Sequence, residues 1–95
     1  MAKDTSILVV RLSAIGDLVL VAPITAQLAR EGYSVTVLCK DAYRSVASCL
    51  PGVKAVLSWE KDRSSIKAEV FTFEEVLDLQ GTSKSKRWCG QLNRP

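Results

Sequence analysis

The chain has 95 residues, of which 47% are apolar, and 13 Lys and Arg against 10 Asp and Glu give a net charge of +3. This composition indicates one folded globular domain rather than a disordered segment. The charge is too small to indicate a nucleic-acid partner, and none is expected. The absence of histidine excludes Ser-His-Asp and Cys-His catalysis and most zinc sites.

The cysteines indicate a reducing compartment. Cys39, Cys49 and Cys89 are odd in number and widely spaced, without a Cys-x-x-Cys pair, so we expect neither a disulfide framework nor a bound metal. Cys39 and Cys49 are predicted to be buried as small apolar residues. The apolar run 7–10 is too short for a signal peptide or a membrane span, and the sequence therefore predicts a cytoplasmic protein.

The chain begins with a predicted strand and helix. Residues 7–10 (I-L-V-V) form a continuous apolar run, which is typical of a strand buried on both faces of a parallel sheet. A helix is predicted over 17–30, with Gly32 as its C-terminal stop. Pro23 lies inside this stretch, so the helix either kinks there or begins with Pro23 in its first turn.

The middle of the chain continues the alternation of predicted strands and helices. Residues 34–39 predict the second strand, and residues 41–50 predict a short helix capped at its start by Asp41. A third strand is predicted over 54–59. Residues 60–71 are interpreted as a short helix, although their apolar alternation would also suit a strand.

The last elements complete the fold prediction. Residues 75–79 (E-V-L-D-L) predict the fourth strand, and residues 82–92 predict a final helix. Strands that alternate with helices at this spacing predict an α/β fold, a Rossmann-like open parallel sheet of four strands in the order 3-2-1-4 with flanking helices. Ligands bind such sheets beyond the carboxyl ends of the strands where the winding reverses, here between residues 13–17 and 80–84.

The turn after the first strand carries the first candidate residue. Gly16 permits a close approach that a side chain would block, and Asp17 follows it near the start of a helix. Asp17 is either a helix cap or, at the mouth of the crevice, a general base or ligand anchor. The turn lacks the glycine pattern of a dinucleotide or phosphate-binding loop.

The segment after the fourth strand carries the second group of candidates. Gln80 and Gly81 leave the strand, and Thr82 and Lys84 follow. Their hydroxyl and ammonium groups are donors of the kind that hold a phosphate or a sugar at a helix start. The alternative is a capped and solvated helix without a ligand.

Together the two motifs resemble a known family. The segments R-L-S-A-I-G-D-L-V-L-V-A-P (residues 11–23) and L-D-L-Q-G-T-S-K-S (residues 77–85) resemble the N-terminal part of the ADP-heptose:lipopolysaccharide heptosyltransferases, glycosyltransferase family nine. The resemblance implies that residues 1–95 are a partial N-terminal, acceptor-side Rossmann-like domain, the truncated N-terminal half of a GT-B fold from which the donor-binding domain is absent.

The resemblance also assigns roles to the candidate residues. It makes Asp17 the catalytic base, which takes the proton from the acceptor hydroxyl as heptose is transferred with inversion. Ser13 and Gly16 would shape that loop. The acceptor side would be lined by four residues of the second motif: Gln80, Gly81, Thr82 and Lys84.

The implied partners follow from the same family. The acceptor would be the lipopolysaccharide inner core, and the donor substrate ADP-heptose would bind only with the missing domain, so no cofactor is expected and the 95 residues alone would be inactive. The resemblance is also compatible with peripheral contact of the protein with the inner face of the inner membrane. The alternatives are a small nucleotide-binding or regulatory α/β module without catalysis, and a GT-B transferase of another sugar.

Overall fold

The strands form one parallel sheet. The computed structural model describes residues 5–12, 20–67 and 73–79. Within these ranges the sheet has four strands in the spatial order β3-β2-β1-β4, which confirms the predicted α/β fold and strand order. Their bounds are β1 Ser6–Val10, β2 Ser34–Cys39, β3 Val53–Ser58 and β4 Glu75–Asp78.

The central strand β1 aligns its two neighbours. Val10 pairs with Leu38 of β2 on one side and with Asp78 of β4 on the other. All three strands run in the same direction, so their carboxyl ends meet at one edge of the sheet. The predicted neighbourhood of the first and fourth strands is therefore confirmed.

The first helix resolves the choice that Pro23 left open. Helix α1 spans Ala22–Arg30, with the proline in its first turn and Val21 at the N-cap position. The described residues 20 and 21 form a turn and are not helical, because proline lacks the N–H that an upstream helical turn would require. The predicted stop is confirmed, since Gly32 follows the helix with φ of 95°.

The helix predicted over 41–50 needs two corrections. A 3-10 turn, Asp41–Tyr43, comes first, and α2 spans only Arg44–Ser48. Asp41 is not the cap, because Lys40 occupies the N-cap position and makes no side-chain capping bond. The Asp41 carboxylate lies instead 3.5 Å from Arg44 Nη1 and 3.6 Å from Lys61 Nζ.

The next helix starts earlier than predicted. Helix α3 spans Trp59–Lys67, so Trp59 is a helical residue and the strand alternative is wrong for residues 60–67; residues 68–71 of the predicted helix lie outside the described ranges. The cause is a reciprocal cap at Ser58, whose Oγ accepts the Lys61 N–H at 3.2 Å while its own N–H donates to Asp62 Oδ2 at 2.7 Å. Satisfying these backbone donors fixes the helix start.

We expect Ser58→Ala to lower the free energy of unfolding by about 1–2 kcal/mol, the usual effect of losing a helix cap. Ser58 is fully buried, so water does not replace its hydroxyl. Urea unfolding followed by circular dichroism measures the change. Ser64→Ala, at an exposed position of the same helix, is the control and should change stability by less than about 0.5 kcal/mol; equal effects would show that the cap is unimportant.

The sheet separates two apolar clusters. The first packs under α1 and α2 and consists of Ile7, Val9, Val21, Val35, Val37, Cys39, Ala47 and Leu50. The second packs under α3 and consists of Leu8, Val10, Leu12, Leu38, Trp59 and Ile66. Alternate residues of the central strands thus face opposite layers, as a parallel sheet covered by helices on both faces requires.

The cysteine prediction is half right. Cys39 is fully buried in the first cluster, whereas Cys49 is exposed. Cys49 lies at the turn that ends α2, where the chain runs over the surface. Helical periodicity does not extend to this residue, which explains the wrong prediction.

Candidate functional site

The carboxyl ends of β1 and β4 form one corner of the sheet. Val10 pairs with Asp78, and the Leu79 N–H donates to the Val10 carbonyl at 2.9 Å. Leu12 and Leu79 are the last described residues at these two strand ends, and the candidate site residues begin at Ser13 and Gln80. The segments that begin at residues 13 and 80 therefore start from neighbouring positions, at the switch point where open α/β sheets bind ligands.

The predicted site residues themselves lie outside the described ranges. These residues are Ser13, Gly16, Asp17, Gln80, Gly81, Thr82 and Lys84. Their roles stay predictions. The described residues establish which strand ends are adjacent and what surrounds those ends.

Arg11 joins the two strand ends. Its Nη1 donates to the Leu79 carbonyl at 2.7 Å, a short charge-assisted hydrogen bond. Its backbone N–H donates to the Leu38 carbonyl at 3.1 Å, and the Lys40 N–H donates to the Leu12 carbonyl at 3.2 Å. The exit of β1 is thus anchored to β2 through the backbone and to the exit of β4 through a side chain.

A cavity of about 270 Å³ lies beside this junction. It is lined by Arg11, Leu20, Val21, Ile24 and Leu79. Leu20 is 72% exposed and Ile24 is 37% exposed, so the first turns before and within α1 offer apolar surface next to a guanidinium. A mainly apolar wall with one fixed polar group is the usual lining of a small-molecule site.

A larger cavity lies at the other edge of the sheet. Its volume is about 570 Å³, and it is lined by the 3-10 turn, by α2 and by the amino-terminal part of β3: Asp41, Arg44, Ser45, Ser48, Val53, Lys54, Ala55 and Val56. The amino half of a strand is not where open parallel sheets bind their ligands. We therefore assign the candidate site to the smaller cavity at the β1 and β4 junction.

Charged side chains connect the exit of β2 to the start of α3. The Asp41 N–H donates to Glu60 Oε1 at 2.8 Å, and this bond holds the pKa of Glu60 below its ordinary value. Desolvation alone would raise the pKa of Asp41, but the Ser58 hydrogen bond and the charges of Lys61 and Arg44 outweigh it, so this pKa is also lowered. The ionised carboxylates therefore favour the folded chain.

Acidification should weaken this connection. A lowered pKa in the folded state means that the stabilisation is present above the ordinary carboxyl pKa of about 4 and is lost as the pH falls through the folded-state value. We expect the urea midpoint to fall from pH 5 to pH 3, and to fall less in Glu60→Gln. Glu31→Gln, an exposed carboxylate at the end of α1, is the control; an identical acid response in all three chains would contradict the assignment.

Residues 5–12, 20–67 and 73–79 contain neither a candidate metal site nor a candidate membrane-spanning helix. No group of three or more acidic or cysteine side chains in these ranges is arranged to hold a metal ion. Among the helices of the same ranges, none combines the length and the apolarity needed to cross a bilayer.

Sequence reasoning did not single out Arg11 as a functional residue. The signal was available, because Arg11 directly follows the buried run of β1 and precedes the buried Leu12. A cation at such a position needs a polar partner. That the partner is the carbonyl of Leu79, 68 residues away, becomes visible only in the folded chain.

The comparisons with known proteins identify a shared fold. No family model matches the chain, and no curated protein matches it. Among solved structures, the chain is similar to the crystal structure of the glycosyl transferase family 9 from Veillonella parvula DSM 2008, with a TM-score of 0.81 and 16% sequence identity. The alignment covers 100% of this chain and 31% of that chain, so the chain spans about a third of the length of that protein.

Proposed function

We propose that the chain is the N-terminal, acceptor-side part of a glycosyltransferase that transfers heptose from ADP-heptose to the lipopolysaccharide inner core. In this proposal the β1 and β4 junction holds the acceptor. Donor binding belongs to residues outside these 95. The adjacent carboxyl ends of β1 and β4 are the observation that carries the proposal.

Two further findings support it. The segments that resemble the heptosyltransferases, residues 11–23 and 77–85, contain the two neighbouring strand ends at Leu12 and Leu79. The whole chain also has the fold of a structure described as a glycosyl transferase of family 9. A small binding module could have the same fold, so the support for the transferase over the module comes from the sequence motifs.

In the proposed reaction Asp17 is the general base. Its carboxylate takes the proton of the acceptor hydroxyl while that oxygen forms a bond to the anomeric carbon of heptose. The bond from this carbon to the ADP oxygen breaks on the opposite face, and ADP leaves with the electron pair. Gln80, Gly81, Thr82 and Lys84 hold the acceptor in place, and Ser13 and Gly16 shape the loop around the base.

A binding titration tests the acceptor assignment. We would titrate the isotope-labelled chain with lipopolysaccharide inner-core oligosaccharide and, separately, with ADP-heptose, and follow the backbone amides by NMR. The oligosaccharide should move the signals of Gly16, Asp17, Gly81 and Lys84, whereas ADP-heptose should move none of them. Binding of ADP-heptose alone at these residues would favour the nucleotide-binding module.

A pair of lysine variants sharpens the test. Lys84→Met should weaken oligosaccharide binding about tenfold, the effect of losing one charge-assisted hydrogen bond. Lys54→Met removes an exposed lysine from β3 at the other edge of the sheet and should leave the affinity unchanged. We expect no ADP release from ADP-heptose and acceptor with this chain as the only protein, because a transfer needs donor and acceptor held together.

A further inference from the structure

We propose that Arg11 is a positioning residue that holds the exit of β4 against the exit of β1 and so sets the geometry of the acceptor site. We call Arg11 together with Leu79 the Arg11 clamp. Its hydrogen bond forms within the chain and does not depend on any ligand. The consequence for acceptor binding rests on the proposed function.

Both backbone polar groups of Leu79 are bonded to residues at the end of β1, one to Val10 and one to Arg11. The Leu79 N–H donates to the Val10 carbonyl at 2.9 Å, and the Leu79 carbonyl accepts from Arg11 Nη1 at 2.7 Å. The strand β4 ends at Asp78. A side chain of β1's exit therefore continues the pairing of the two strands by one residue beyond the regular ladder.

Arg11 is itself fixed to the centre of the sheet. Its N–H donates to the carbonyl of Leu38, which is fully buried in β2. Arg11 therefore connects β1 and β2 to the end of β4. Strand β4 pairs with β1 at the edge of the described sheet. Because the guanidinium is planar and delocalised, it directs its hydrogen bonds more rigidly than a lysine ammonium.

The functional consequence follows from where the clamp lies. Arg11 and Leu79 both line the 270 Å³ cavity, and Leu79 is followed directly by the candidate acceptor residues that begin at Gln80. A displacement of about 1 Å between groups that hold a substrate can reduce a rate about a hundredfold. The clamp would therefore act on the acceptor without Arg11 serving as the base or as an acceptor ligand.

Amide hydrogen exchange of the ligand-free chain tests the clamp. In Arg11→Gln we expect the Leu79 amide to exchange about tenfold faster, corresponding to one lost charge-assisted hydrogen bond, with a smaller change at Val37 in the centre of β2. Arg11→Lys should fall between Arg11→Gln and the unaltered chain. Arg30→Gln, which removes an exposed arginine bonded to Gln27 at the end of α1, should alter neither amide.

The exchange rates of Leu79 and Val37 distinguish a local positioning role of Arg11 from a general contribution to stability. Equal acceleration at Leu79 and Val37 would mean that Arg11 only stabilises the whole fold, and the clamp would be refuted. If Leu79 alone is accelerated, the oligosaccharide affinity of Arg11→Gln should also fall about tenfold; an unchanged affinity would overturn the positioning role. If Leu79 alone is accelerated but the unaltered chain binds no oligosaccharide, the clamp stands and the proposed function fails.

Discussion

Replacing Gly52 by alanine should destabilise the chain by about 2–5 kcal/mol, the sum of a left-handed backbone penalty and an overpacking penalty. Gly52 has φ of 82°, a region that residues with a side chain rarely adopt. A Cβ at this position would lie 2.6 Å from Ala29 Cβ and 2.8 Å from the Thr25 carbonyl oxygen. Both atoms belong to α1 and are rigid, so the turn before β3 would have to move away from this helix.

A second glycine separates the two penalties. Gly32 also has positive φ, at 95°, so Gly32→Ala measures the backbone penalty of about 1–2 kcal/mol. Urea unfolding of both variants by circular dichroism gives the comparison, and Gly52→Ala should have the lower midpoint. Equal midpoints would mean that the close approach of the turn to α1 contributes nothing.

Truncating Leu38 to alanine should cost about 2–5 kcal/mol, the range for a fully buried leucine that leaves a cavity. Leu38 is inaccessible to solvent, pairs with Val10 on one side and Leu57 on the other, and belongs to the cluster under α3. Neighbours on two strands cannot close over the void without shifting the sheet. Small domains have a total stability of only about 5–15 kcal/mol, so this loss is a large fraction of the total.

Leu20→Ala is the matched control for this truncation. Leu20 is 72% exposed, so the same chemical change should alter stability by less than about 0.5 kcal/mol. Thermal unfolding by circular dichroism measures both variants. A similar loss in the two would show that chain propensity, and not packing, determines the effect.

The architecture was predictable because its signals are local. The continuous apolar runs in β1 and β2 and the glycine after α1 mark strands and a helix end without tertiary information. The strand order then follows from the alternation of strands and helices. By contrast, the start of α3 at Trp59 depends on Asp62 bonding back to Ser58, and a strand pattern does not reveal that cap.

The location of the candidate site was predictable from the sequence, but its side-chain contacts were not. Topology puts the ends of β1 and β4 together, and the motifs that follow them mark that corner. The contact of Arg11 with Leu79 joins residues 68 positions apart, and that of Asp41 with Glu60 joins residues 19 positions apart. Such pairs depend on register and rotamers, which residue spacing does not encode.

The contrast between the two described cysteines has a practical consequence for labelling. Burial raises the pKa of the Cys39 thiol to about 11; the charge of Arg44 opposes this rise, and Glu60 and Asp41 add to it. At pH 7 very little of Cys39 is therefore the reactive thiolate. Cys49 is exposed. In a Cys89→Ser chain, a maleimide dye would therefore attach at the end of α2 and leave the buried sheet unmodified.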